Sequence, residues 1–195
     1  KIKFQRNHIS YGFAETNDFV LSDYESDGVK SSFRISSKSD SLKLTLNMLG
    51  KHNVLNAAAA SILCLQEGIS PKIIQESLEN FMGIDRRMQI LGEKQLKNHR
   101  CVFIDDYGHH PTEIRNTIEA IRESYSNFKL KMVFQPHRFT RTYDLYNEFI
   151  EVLKKVDELV LLDIYSAGEN AIEGISSLDI KNSLEKHGFD DVELI

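Results

Sequence analysis

Little in this chain suits an extracellular, membrane-spanning or nucleic-acid-binding protein. Cysteine is scarce, with two among 195 residues, and Cys64 and Cys101 both sit in apolar runs. Two such thiols fit buried free cysteines in a reducing cytosol better than a disulfide. There is no long hydrophobic run: the longest, about residues 57–65, is far too short to cross a bilayer. The opening Lys1-Ile2-Lys3-Phe4 lacks the apolar core of a signal peptide. It also lacks an initiating Met and reads as mid-domain sequence, so a fragment or a processed chain is expected. A basic excess is missing too. The 24 Lys+Arg against 29 Asp+Glu leave a net charge of -5, which argues against a general nucleic-acid surface but leaves room for a local basic pocket.

What remains is ordinary globular protein. The 41% hydrophobic content is enough to build a core, and 27% charged residues do not suggest disorder. The length allows one ordinary domain or two small ones. No internal repeat or low-complexity tract interrupts it.

Two rhythms divide the chain. Residues 1–47 read as short strands, with Phe33 and Ile35, then Leu42, Leu44 and Leu46, alternating with polar neighbours. The Ala-rich run from Val54 to Leu65 reads as a buried helix that Gly68 stops. Ser70-Pro71 starts a second helix, to about Phe81. Gly83-Ile84-Asp85 looks like a linker. After it, apolar strands at 101–104, 130–134 and 159–162 alternate with helices at 111–124, 139–155 and 178–187, and residues 192–195 begin another strand. That alternation implies an α/β unit with crossover connections and a parallel sheet.

In such sheets ligands bind beyond the carboxyl ends of the strands. The first three strands end in Asp105, Asp106, Tyr107, His109 and His110; in Gln135, His137, Arg138 and Arg141; and in Asp163, Tyr165, Ser166 and Glu169. Three such ends on one edge point to a functional edge. Asp106 can accept hydrogen bonds from ribose hydroxyls. His109 and His110 lie at a helix N-terminus, which favours an anion. A metal site of Asp106, His109 and His110, or a plain helix cap, remains open at this point. Arg138 and Arg141, three apart, share a helix face suited to a carboxylate or phosphate. The Tyr165–Glu169 stretch reads equally as site or loop.

Upstream, His52 and Asn56 are four apart and can meet a heterocyclic base, although capping by Asn53 explains the pattern as well. Gly50-Lys51 lacks the earlier glycine and the following Ser or Thr of a phosphate-binding loop. Arg86-Arg87 suits a phosphate or plain surface charge.

Taken together, Gly50-Lys51-His52-Asn53-Val54-Leu55-Asn56-Ala57, Phe81-Met82-Gly83 with Arg86-Arg87, Asp105-Asp106-Tyr107-Gly108-His109-His110-Pro111-Thr112-Glu113, Phe134 through Thr142 and Tyr165-Ser166-Ala167-Gly168-Glu169 resemble the Mur ligases, in the right order. The resemblance runs from about Tyr11 to Ser177 and lies nearest the branch that adds L-alanine. The branch that recycles murein tripeptide, or another Mur-type amino-acid ligase, is the alternative, and a non-catalytic nucleotide- or anion-binding module is the alternative of another kind. The resemblance implies that residues 1–85 are the end of a central ATP-binding domain. Residues 86–195 would be most of a C-terminal Rossmann-like domain for the amino acid, a mostly parallel sheet with flanking helices.

It further implies a bacterial cytoplasmic enzyme of peptidoglycan synthesis, acting on UDP-N-acetylmuramate, L-alanine and ATP through an acyl phosphate, with Mg2+. No membrane or nucleic acid partner is expected. The resemblance assigns His52, Asn53 and Asn56 to the adenine side, Arg87 to the ATP phosphates, and Asp106 to the nucleotide. It assigns Tyr107, His109, His137, Arg138 and Arg141 to the region around L-alanine, with Arg87 and His109 as the catalytic candidates. The phosphate loop and the metal ligands are expected upstream of Lys1 and a final strand after Ile195. The chain alone is therefore expected to be inactive, and its first residues to be a poorly supported remnant of the central domain's sheet.

Overall fold

The computed structural model describes residues 8–195, which fall into two compact units, the first ending at Asp106 and the second running from Tyr107 to Ile195. The strands expected over residues 1–7 lie outside the described residues.

In the first unit, β1 (Tyr11–Gly12) pairs parallel with β2 (Phe19–Ser26). β2, β3 (Ser31–Ser36) and β4 (Ser41–Leu46) follow as an antiparallel meander. The period-two apolar positions all face one way: Leu21, Phe33, Ile35, Leu44 and Leu46 are buried. Against them packs α1 (Lys51–Gln66), which buries Val54, Ala57, Ala58 and Ile62 at helical spacing. This sheet therefore has its own closed core, with Phe33, Leu44, Val54 and Ala58 fully buried.

The end of α1 is fixed by local chemistry. Ile69 N–H donates to the Cys64 carbonyl and Gly68 N–H to that of Leu65, with Gly68 at φ 78. That double bond needs a left-handed residue, which glycine supplies without steric cost. Ser70 then caps α2 (Pro71–Asn80), accepting from Ile73 N–H.

One expectation fails here. The strand foreseen at 101–104 is β6 (His99–Asp105), but it does not join a parallel sheet. It pairs antiparallel with β5 (Gln89–Leu96) as a two-stranded ribbon turning at Lys97 and Asn98. β5 gives no sequence signal because Gln, Gly, Glu and Lys break any apolar alternation, and most of it is exposed. The two cysteines, free as foreseen, are only half-buried rather than buried.

The second unit is the parallel one. β7 (Lys131–Phe134), β8 (Glu158–Leu161) and β9 (Val192–Leu194) lie in that order, all parallel. Helices α3 (Pro111–Ser124), α5 (Tyr146–Leu153) and α6 (Ser177–Lys186) flank the strands, and their apolar faces meet Phe134, Leu159 and Leu161 in one core with Ile118, Phe149, Ile180 and Leu184. The single helix expected over 139–155 is two: α4 (Phe139–Asp144) ends at Leu145, whose ψ of 21° starts α5.

Candidate functional site

In the second unit the chain past β7 and β8 stays paired after the strands end. Leu162 N–H donates to Phe134 O at 3.0 Å, Tyr165 N–H to Pro136 O at 2.8 Å, and Arg138 N–H to Tyr165 O at 2.8 Å. His137 and Tyr165 form an isolated parallel bridge. The second and third strand-end clusters are thus one rigid backbone.

Four rings line up along it. Tyr107 meets His109 edge-on at 5.6 Å between centroids, His109 lies 6.3 Å from His137, and His137 lies 5.2 Å from Tyr165. Tyr107, His109 and His137, all expected around the amino acid, are therefore brought together, and Tyr165 joins them. Tyr165 belonged to a stretch that the sequence left undecided.

The tautomers follow from the partners. His109 Nδ1 stands 3.2 Å from Tyr107 O. A carbonyl only accepts, so Nδ1 carries hydrogen, and in the neutral ring Nε2 keeps its lone pair. The Glu113 carboxylate lies 3.8 Å from the same Nδ1 and accepts the His109 backbone N–H at 3.0 Å. His137 is the opposite case. Arg141 Nη1 points at its Nδ1 at 3.5 Å and at its carbonyl at 3.3 Å. A guanidinium only donates, so His137 accepts on Nδ1 and carries hydrogen on Nε2. Desolvation first, then Arg141, Arg138 and His109, push the His137 pKa below 6.5 and keep the ring neutral.

Arg138 occupies the N-cap of α4 at φ 75, in the left-handed region that L side chains rarely adopt. Its Nη1 stands 4.0 Å from Glu169, and Arg141 turns to His137. Glu169 also closes the start of α4 by accepting Thr140 N–H at 3.0 Å and Thr140 Oγ1 at 2.8 Å. Thr140 and Glu169 lie 29 residues apart, so no local pattern pointed to this contact.

His110 is a cap. Its Nδ1 accepts Thr112 N–H at 3.2 Å, and Glu113 reaches back to the His110 N–H at 3.2 Å, a reciprocal capping box. With Nδ1 accepting the Thr112 N–H, a neutral His110 carries hydrogen on Nε2 and offers no lone pair to a metal. Among the described residues no group of three or more His, Cys, Asp or Glu is arranged to hold a metal ion.

In the first unit His52 and Asn56 stand one helical turn apart on α1, half-buried and exposed respectively. Desolvation lowers the His52 pKa, partly opposed by the Asp106 carboxylate. Asn53 does not share their position. It is 8% exposed and its Nδ2 donates to Leu49 O at 2.8 Å, while Gly50 takes the N-cap.

Arg87 is exposed, in a turn whose neighbours Arg86 and Met88 have φ of 60° and 52°. Asp106 accepts Met88 N–H at 2.8 Å, and Asp105 pairs with Arg86 at 3.7 Å. The double aspartate therefore also holds the turn that presents Arg87, a role that its sequence position did not reveal.

The sequence compares with known proteins as follows. It is 45% identical over 193 residues to UDP-N-acetylmuramate–L-alanine ligase from Buchnera aphidicola subsp. Acyrthosiphon pisum, covering 96% of this chain and 40% of that relative. The fold matches UDP-N-acetylmuramate–alanine ligase from Thermotoga maritima at a TM-score of 0.76 and 27% identity, over 96% of this chain and 39% of that one. It also matches MurF from Acinetobacter baumannii at 0.67 and 22% identity, over 95% of this chain and 37% of that one. The chain thus spans about 40% of the length of the curated relative. Residues 1–64 match the Mur ligase middle domain and residues 86–195 the Mur ligase glutamate ligase domain. Matched by both domains, the second over more than half of its length, the chain belongs to the Mur ligase family.

Proposed function

We propose that this chain is the ATP- and amino-acid-handling part of an ATP-dependent carboxylate–amine ligase that joins L-alanine to UDP-N-acetylmuramate in the bacterial cytoplasm, for peptidoglycan synthesis. The observation that carries the reading is the group gathered where β7 and β8 end and α3 begins. It combines two arginines, a neutral His137 with an Nε2 donor, and a His109 whose Nε2 keeps its lone pair. An amino acid requires the same set: positive donors for its carboxylate and an acceptor for the proton its nitrogen sheds. The identity to an alanine-adding relative supports the substrate.

In this reading the muramyl carboxylate attacks the terminal phosphoryl group of ATP, giving an acyl phosphate and ADP. The amine of L-alanine attacks the acyl carbon, His109 Nε2 takes the proton, and phosphate leaves. Arg138 and Arg141 hold the alanine carboxylate, and Tyr107 and His137 line its place. His52 and Asn56 offer polar groups to adenine, with Asn53 setting the start of their helix. Asp106 meets the nucleotide and Arg87 its phosphates. Magnesium would spread the charge of phosphoryl transfer. We set the boundary between the two functional domains at 85/86, where the C-terminal family match begins and the Arg86–Met88 turn lies.

Phosphate release by the full-length enzyme, with UDP-N-acetylmuramate, ATP and a panel of L-alanine, glutamate and tripeptide, tests this. A clear preference for L-alanine is expected. Equal use of all three overturns the substrate, and no release with any of them supports a binding module instead.

A further inference from the structure

The reaction above leaves one well-placed carboxylate without a task. Glu169 lies on the loop after β8, and its side chain is 21% exposed. Its oxygens have separate duties. Oε2 accepts Thr140 N–H, while Oε1 accepts the Thr140 hydroxyl and faces Arg138 Nη1 at 4.0 Å. The Thr140 N–H contributes most to holding this carboxyl below the usual range, so it stays ionised.

Arg138 needs such a partner. Its backbone is pinned on both sides: its N–H by Tyr165 O at 2.8 Å, its carbonyl by Thr142 N–H at 3.2 Å and Thr142 Oγ1 at 2.8 Å. Those bonds hold φ at 75° and so decide where the side chain leaves the chain. They leave the long guanidinium arm, half-exposed, with many rotamers. A charge at the far end narrows them.

We propose that Glu169 is a positioning residue for the amino-acid step: it couples the first turn of α4 to the Arg138 guanidinium and so aims that group at the carboxylate of the incoming amino acid. This rests on the reading of Arg138 as the carboxylate binder. Charge is essential because of the oxygens' separate duties. A glutamine has one oxygen. If that oxygen stays on the Thr140 N–H, the amide NH2 must face the guanidinium, and the cap survives while the link to Arg138 is lost.

The full-length enzyme carrying Glu169→Gln tests the coupling. The KM for L-alanine should rise about tenfold, with kcat, the KM for ATP and the melting temperature unchanged. In an Arg138→Ala background the same substitution should add nothing, because its effect passes through Arg138. An unchanged or lowered KM for L-alanine, or additive effects in the double variant, overturns the proposal. If the wild type prefers another amino acid, the substrate reading fails, and the same split measured with the preferred acid still tests Glu169.

Discussion

The carboxylate of Asp106 accepts the backbone N–H of Met88 at 2.8 Å, eighteen residues back along the chain. Met88 is 6% exposed and sits at φ 52, a conformation that costs an L side chain free energy and persists only where its surroundings impose it. The same aspartate is our nucleotide contact, and the two duties separate by substitution. Asp106→Asn keeps an oxygen for Met88 and should leave stability intact while weakening ATP binding. Asp106→Ala should also destabilise the fold, by about 1–3 kcal/mol for the orphaned N–H. Paired denaturation and ATP titrations decide; equal stability of the two variants removes Asp106 from the turn.

Arg138 gives the second expectation. Removing its guanidinium by Arg138→Ala should cost the alanine complex about 1.5–3 kcal/mol, the worth of a charge-assisted bond. That appears as a KM for L-alanine raised roughly ten- to hundredfold, with the KM for ATP unchanged. Unaltered alanine kinetics would take Arg138 out of the site.

His110 is expected to matter for folding rather than chemistry. Its ring takes the place that Ser or Asn usually fills at a helix start. His110→Ala should cost about 0.5–2 kcal/mol, and His110→Asn should recover most of it together with activity. A His110→Asn enzyme that is stable yet inactive would show that the imidazole itself is needed.

The protonation of His137 sets a pH limit. Its pKa is lowered in the fold from 6.5 by burial and by its cationic neighbours. The unfolded chain therefore binds a proton more readily than the folded one, so this group's contribution to stability is complete above 6.5 and is lost as pH falls through the lower folded value. His52 acts in the same direction. Protonating His137 also abolishes its Nδ1 acceptor for Arg141, so alanine-dependent activity should fall over the same acidic range. An NMR titration of the His137 ring should give a midpoint below 6.5; a midpoint at or above it would refute the assignment.

Much of this architecture was legible because apolar period and punctuation agree. Phe33, Ile35, Leu44 and Leu46 alternate and are buried, Pro111 opens a helix that ends at Ser124, and Gly68 stops α1. β5 escaped because its Gln, Gly, Glu and Lys break the apolar pattern, and the antiparallel pairing of β6 escaped with it. The break at Leu145 escaped because the apolar period continues through it. At the site, strand ends pointed to Tyr107, His109, His137, Arg138 and Arg141. Nothing in the spacing could show that Asn53 turns inward to Leu49, or that Glu169 returns to Thr140. Those contacts depend on how distant segments meet, which a local pattern does not encode.

The backbone pairing that runs past β7 and β8, from Leu162 to Phe134 and on to Tyr165 and Arg138, limits how this chain can be re-engineered. The loops that carry the site are extensions of the sheet, so inserting or deleting a residue there would throw His137 and Tyr165 out of step. If this is the amino-acid site proposed above, a change of preference in this chain is expected from exchanged side chains on a constant framework. A graft of the Gln135–Arg141 and Asp163–Glu169 segments into a relative should be made as one unit.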